Sequence, residues 1–222
     1  MRTPVLFHPT SPPDFRGMKP LLTRILDYFA AQGHTIDTGA GEVNIVYIEG
    51  LNPDGTPNPD ELDGWNDLRV VFLHDADGQA SIVHTAIATT EPGRAATFSE
   101  AARQRGGVAR LPFGQHTAWR VGVHKSPDHP ALVQRAPLLV HRDQNRDGIR
   151  TRDNMASATG INQHSTRPGF RGEQVGNWSE GCLVGWDWAQ HLQFMALVTA
   201  DPRYQQRQNF LFTTTLIPGD KL

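Results

Sequence analysis

The chain has one cysteine, Cys182, in 222 residues, so no internal disulfide can staple the fold. A lone cysteine is either a small buried hydrophobe or a reactive thiol. Charge of one sign is not in excess either: 21 Lys and Arg face 23 Asp and Glu, for a formal net charge of -2. That balance removes the electrostatic case for a phosphate-neutralising nucleic-acid surface. Long apolar runs are missing as well. No stretch approaches the ~20 apolar residues that span a bilayer. His8 and prolines interrupt Met1–Ser11, and Arg24 and Asp27 interrupt Leu21–Ala31, so no leader pattern is visible. These absences predict a monomer made in the cytoplasm without a signal peptide, with no membrane span and no nucleic-acid partner.

What is present is a turn-rich globular composition, with 21 Gly, 16 Pro and 38% apolar residues. Leu21, Leu22, Ile25, Leu26 and Phe29 repeat at helical spacing, which predicts an amphipathic helix from Met18 to Gln32 stopped by Gly33. Strands are expected over Val43–Ile48, Leu68–Leu73 and Ser81–Thr90, the last two forming a hairpin around Asp75–Gly78. Further strands are expected near Ala118–His124, Ala131–Val133, Leu138–His141, Gly160–His164 and Phe210–Ile217. Two later helices are expected, Ser99–Gln104 and Trp186–Thr199. Many strands and few helices predict a β-rich α+β fold, a mainly antiparallel sheet or sandwich. The expected organisation is one domain, with 1–42 as an N-terminal helical addition and 43–222 as the β-rich core.

Chemistry concentrates in Gly160–Trp186, GINQHSTRPGFRGEQVGNWSEGCLVGW. A thiol attacks a carbonyl as thiolate, so it needs a base or a cation beside it, and histidine is the usual partner. His164 ends an expected strand, and Ser179, Gly181 and Cys182 form a tight S-E-G-C unit after a Gly-rich loop. Gly181 beside the nucleophile would let backbone N–H groups approach a tetrahedral oxyanion.

A histidine followed after a loop by S-x-G-C resembles the catalytic domain of the L,D-transpeptidases, and Leu111–Gly114 (LPFG) is loosely similar to the entry to that domain's core sheet. The resemblance implies that Cys182 attacks a carbonyl of a peptidoglycan stem peptide, forms a thioester acyl-enzyme, and passes the acyl group to an amine or to water. It implies His164 as base, a Ser179–Gly181 turn that orients the histidine or binds the oxyanion, and an acyl-binding surface that includes Asn162, Ser165 and Trp178. Val184 stands where the family usually carries arginine, and Ser165 where it commonly has glycine. The papain-like alternative needs cysteine before its histidine, whereas His191 alone follows Cys182.

Other groups invite blander readings. Asp143, Asn145, Asp147 and Gly148 match the opening of a calcium loop, but Asn154 occupies the twelfth position, so a polar turn is preferred to a structural calcium site. His74, His84, His116 and His124 lack zinc-ligand spacing, and no cofactor is expected. Trp178, Trp186 and Trp188 line either a groove or the core. The second functional class is a non-catalytic cell-wall-associated binding or structural module, in which Cys182 is inert.

Overall fold

The computed structural model describes residues 18–126 and 128–222, so the leader reading of Met1–Ser11 and the start of the N-terminal addition lie outside the described residues. Helix α1 spans Leu21–Gln32 and ends as expected at Gly33, whose φ of 68° is left-handed. His34 N–H then closes the end on Phe29 O at 2.9 Å, a helix stop that glycine makes inexpensive.

Strands β1 (Asn44–Glu49), β2 (Asp67–His74) and β3 (Ala80–Thr89) follow, and β2 and β3 form the expected hairpin. Its turn is held by Asp75, whose carboxylate accepts from Asp77 N and Gln79 N at 2.9 and 2.8 Å. Two short helices, α2 (Arg94–Thr97) and α3 (Glu100–Gln104), lead to β4 (Val108–Arg110), β5 (Gly114–Val123), β6 (Pro130–Gln134), β7 (Leu138–Asp143) and β8 (Asn154–Ala158). The site segment carries β9 (Gln163–Ser165) and β10 (Leu183–Gly185). Helices α4 (Trp188–Ala200) and α5 (Pro202–Gln206) and strand β11 (Phe212–Pro218) complete the chain.

The fold is a sheet-rich α+β architecture with few helices. Eight strands in the order β1-β11-β5-β6-β9-β10-β3-β2 close into a barrel, and β4-β7-β8 form a small separate sheet. Most neighbours are antiparallel, but β1 runs parallel to β11 and β9 parallel to β10. Closure distinguishes this sheet from the open sheet or sandwich that strand content alone suggests. It follows from β1 pairing on both sides, with β2 and with the C-terminal β11, which removes a free edge.

Burial on both faces explains why β1 reads as a continuous apolar run rather than an alternation. Val46 and Ile48 pack with Ile25 and Phe29 of α1, together with Val70, Phe72 and Ile217. Ile45 and Tyr47, on the other face, join Phe194, Met195 and Val198 of α4 in a larger core that includes Trp119, Leu132 and Leu183. Helix α4 thus packs against β3, β6, β9 and β10, of which β9 carries His164 and β10 follows Cys182. No helix among the described residues is long and apolar enough to cross a membrane.

Candidate active site

Two side chains, the buried Trp119 and the half-buried Gln134, pin the segment that enters the site. Trp119 of β5 donates its indole N–H to Ile161 O at 2.8 Å. Gln134, at the end of β6, accepts from Ile161 N at 2.9 Å and donates to Ala158 O at 2.7 Å. Chain 158–162 is therefore an anchored connection, and the regular strand begins only at Gln163 rather than at Gly160. Parallel pairing then sets Leu183 opposite Gln163 and Val184 opposite His164. Cys182, one residue ahead of β10, lies beside Asn162. The backbone N–H of Asn162 donates to its sulfur at 3.4 Å, and the thiol reaches Gly160 O at 3.4 Å.

The strand pair brings His164 and Cys182 to the same end of the sheet, but the sulfur's hydrogen bonds go to the Asn162 and Gly160 backbone rather than to the imidazole. His164 is 2% exposed, and its Nδ1 lies 2.9 Å from Ser165 O. A carbonyl only accepts, so Nδ1 carries the proton and Nε2 is the basic nitrogen. Burial first, and then the neighbouring His124, hold the His164 pKa well below the ordinary histidine value, so the ring is neutral at pH 7. Cys182 is only half-buried as a residue, yet protein crowds its sulfur enough for desolvation to push the thiol up to about 11. The Asn162 N–H and Lys125 work against that rise. The expected depressed thiol is thus replaced by a neutral thiol beside a neutral imidazole.

The S-E-G-C turn is self-contained. Ser179 Oγ donates to Cys182 O at 2.8 Å and accepts from Gly181 N at 3.1 Å. It ties its own turn instead of orienting the histidine, and the Gly181 N–H is committed to it. Gly181 has φ 132°, and a Cβ there would lie 2.5 Å from Ala109 O of β4, so both the backbone and the space require glycine. Ser165, expected on the acyl-binding surface, is fully buried, and its carbonyl is what orients His164. Asn162, expected to touch substrate, turns its side chain inward: Oδ1 accepts from Gln134 N at 3.0 Å and Nδ2 faces His124 Nδ1 at 3.1 Å.

A cavity of about 650 Å³ opens over this end of the sheet, with His124, His129, His164, Arg167, Trp178 and Trp188 in its wall. Trp178, expected to line a groove or the core, stands in the wall of this cavity. Cys182 is not part of that wall. From the sequence, His124 is weighed only as a zinc ligand and His129 not at all. The first stacks on His164 with ring centres 3.9 Å apart and 6° between planes, and the second stands edge-on to it at 5.7 Å. Only spacing along β5 and its following loop could have hinted at them, and neither has a motif.

His191 lies behind this group on α4. It is fully buried, donates Nε2–H to Pro130 O at 2.8 Å and accepts from Arg69 at 3.2 Å. Its pKa is pushed down to about 3 by burial and then by Arg69. Arg69, also fully buried, reaches His84 at 3.4 Å and lies 4.1 Å over the Phe194 ring.

Two groups offer metal-ligating atoms. In the loop 143–148, Asp143 accepts from Asp147 N and Gly148 N, and Asp147 accepts from Ile149 N, so these carboxylates close a turn on backbone donors. Glu49, Asp60 and Glu91 bring carboxylates within 4.8 Å of one another, but Arg110 pairs with Glu91, and Arg150 with Glu49 at 2.5 Å. Two of the three carboxylates thus already have a guanidinium partner. No protein-family model, curated protein or solved structure matches the chain.

Proposed function

We propose that the chain is a cysteine-nucleophile enzyme of the L,D-transpeptidase type that transfers or hydrolyses acyl groups of bacterial peptidoglycan stem peptides through a Cys182 thioester. The carrying observation is a histidine locked as the Nδ1–H tautomer on the strand paired in parallel with the one that Cys182 precedes. Such a base leaves Nε2 free to take the thiol proton as the sulfur attacks, and to return it to the leaving amine. Because both groups start neutral, proton transfer accompanies attack rather than preceding it. The stem-peptide substrate rests on the resemblance, and the indole-walled cavity has the size and chemistry to hold a short peptide.

The raised thiol favours a second reading, a cell-wall-associated module that keeps the fold without turnover. Intact-mass spectrometry after exposure to a carbapenem separates the two. The enzyme reading expects one covalent adduct on the wild type and none on Cys182→Ser. A full adduct on the serine variant places the nucleophile elsewhere, and an unmodified wild type that also resists iodoacetamide at pH 9 leaves the non-catalytic module.

A further inference from the structure

We propose that His124 is a positioning residue of the Cys182–His164 pair, its ring fixing the plane of the base and tying that plane to the backbone that cradles the thiol. The inference rests on the catalytic reading above. Four groups form one chain of contacts. Asn162 N–H meets Cys182 Sγ at 3.4 Å, Asn162 Nδ2 meets His124 Nδ1 at 3.1 Å, and the His124 ring lies flat on His164 at 3.9 Å. The direction of each bond is set by its neighbours. Gln134 N donates to Asn162 Oδ1 at 3.0 Å, so the amide must turn its NH2 to His124, whose Nδ1 then accepts and whose Nε2 carries the proton.

The stack has two consequences for the base. An imidazole held at one nitrogen by Ser165 O keeps a rotational freedom that a flat neighbour 3.9 Å away removes. Two cofacial rings at that distance also cannot both be cationic at small cost. Other groups face the pair. His129 stands edge-on to both rings at 5.7 Å, with His191 behind it at 6.3 Å, while Lys125, Asp128 and Arg167 line the same cavity. His124 alone among them lies in the plane-to-plane contact.

The test is the pH dependence of Cys182 alkylation by iodoacetamide in wild type, His124→Ala, His124→Phe and His164→Ala, with thermal melts on each. Removing the ring in His124→Ala is expected to slow alkylation at pH 8 about tenfold. Restoring a flat ring in His124→Phe should bring the rate back to within about threefold. In both variants the acid limb of the profile should move to higher pH, because a like-charge neighbour of His164 is gone, and a merely structural role would leave that limb in place. If the alanine variant melts too low to assay, the displaced acid limb of the phenylalanine variant carries the test. Profiles of both His124 variants that superimpose on the wild type, while His164→Ala differs, overturn the positioning role and leave the enzyme reading intact. A His164→Ala profile equal to the wild type overturns the enzyme reading itself.

Discussion

Two buried histidines of this region have different fates when removed, and the difference follows from what each touches. His164 presents a basic Nε2 on the strand paired with β10, so His164→Ala should slow acylation or alkylation of Cys182 at least ~100-fold, the scale of a lost general base. His191 offers the cavity nothing but supports its rear wall. His191→Ala deletes a fully buried ring and strips an acceptor from Arg69, which should cost about 2–4 kcal/mol in urea denaturation while moving the alkylation pH profile less than His124→Ala does, because His191 is a weaker influence on His164 than His124 is. Gly181→Ala is a third contrast. Its φ of 132° and the crowding at Ala109 O predict a loss of about 1–3 kcal/mol together with a displaced thiol, seen as a lower melting temperature and a lower alkylation rate in one variant. Equal stability of wild type and Gly181→Ala would show that the turn can re-form without glycine.

At the scale of elements, segments with an apolar pattern or cap of their own were legible, the short β6, β7 and α3 included, and β4, β8 and β10 were not. Helices α1 and α4 and strands β1, β2, β3 and β11 lie close to where apolar spacing put them, because each buries enough residues for a period to show, whereas β5 starts at Gly114, ahead of the expected Ala118. Strands β4, β9 and β10 have three residues apiece, too few for any period, and exist through the pairing of distant chain. The site divides in the same way. Cys182, His164 and the S-E-G-C turn could be read as a motif, whereas His124 follows β5 by one residue, and its stack on His164 is made by the β5-β6-β9 strand order, which no local pattern encodes. Helix α4 links the two levels, since it carries Trp188 to the cavity and His191 behind it. Its N-terminus is held by Asp187, whose carboxylate accepts from Gln190 N at 2.8 Å. Asp187→Ala should cost about 1 kcal/mol and lower the melting temperature without changing the Cys182 pH profile, and loss of reactivity out of proportion to stability would place Asp187 in the chemistry instead.

For the whole molecule, the barrel and the small sheet are joined by a buried charge network with pH dependence of its own. Glu49 ends β1, Asp67 begins β2, Glu91 follows β3, Arg110 ends β4 and Arg150 follows β7. Glu49 is held by both nitrogens of Arg150 at 2.5 Å and by Thr90 Oγ1 at 2.7 Å. Although burial pushes its carboxyl up, Arg150 leaves it below the ordinary glutamate value. Glu49→Gln takes the charged partner from the part-buried Arg150, while Arg110 keeps Glu91, and should cost about 3 kcal/mol at pH 7. Asp60 lies on the opposite side of the ledger: its Oδ1 is buried without a hydrogen-bond partner, and burial followed by Glu49 pushes its pKa from 3.8 to about 6. A folded pKa raised in this way means that the native state holds the proton more tightly. Its contribution is complete below pH 3.8 and is lost as pH rises through about 6. Asp60→Asn keeps the shape, suits the φ of 52° and removes the titration, so the variant should match the wild type near pH 4 and exceed it at pH 7. Urea denaturation at a series of pH values measures the difference, and a constant offset between the two proteins across pH 4 to 7 would show that Asp60 is charged in the native state throughout.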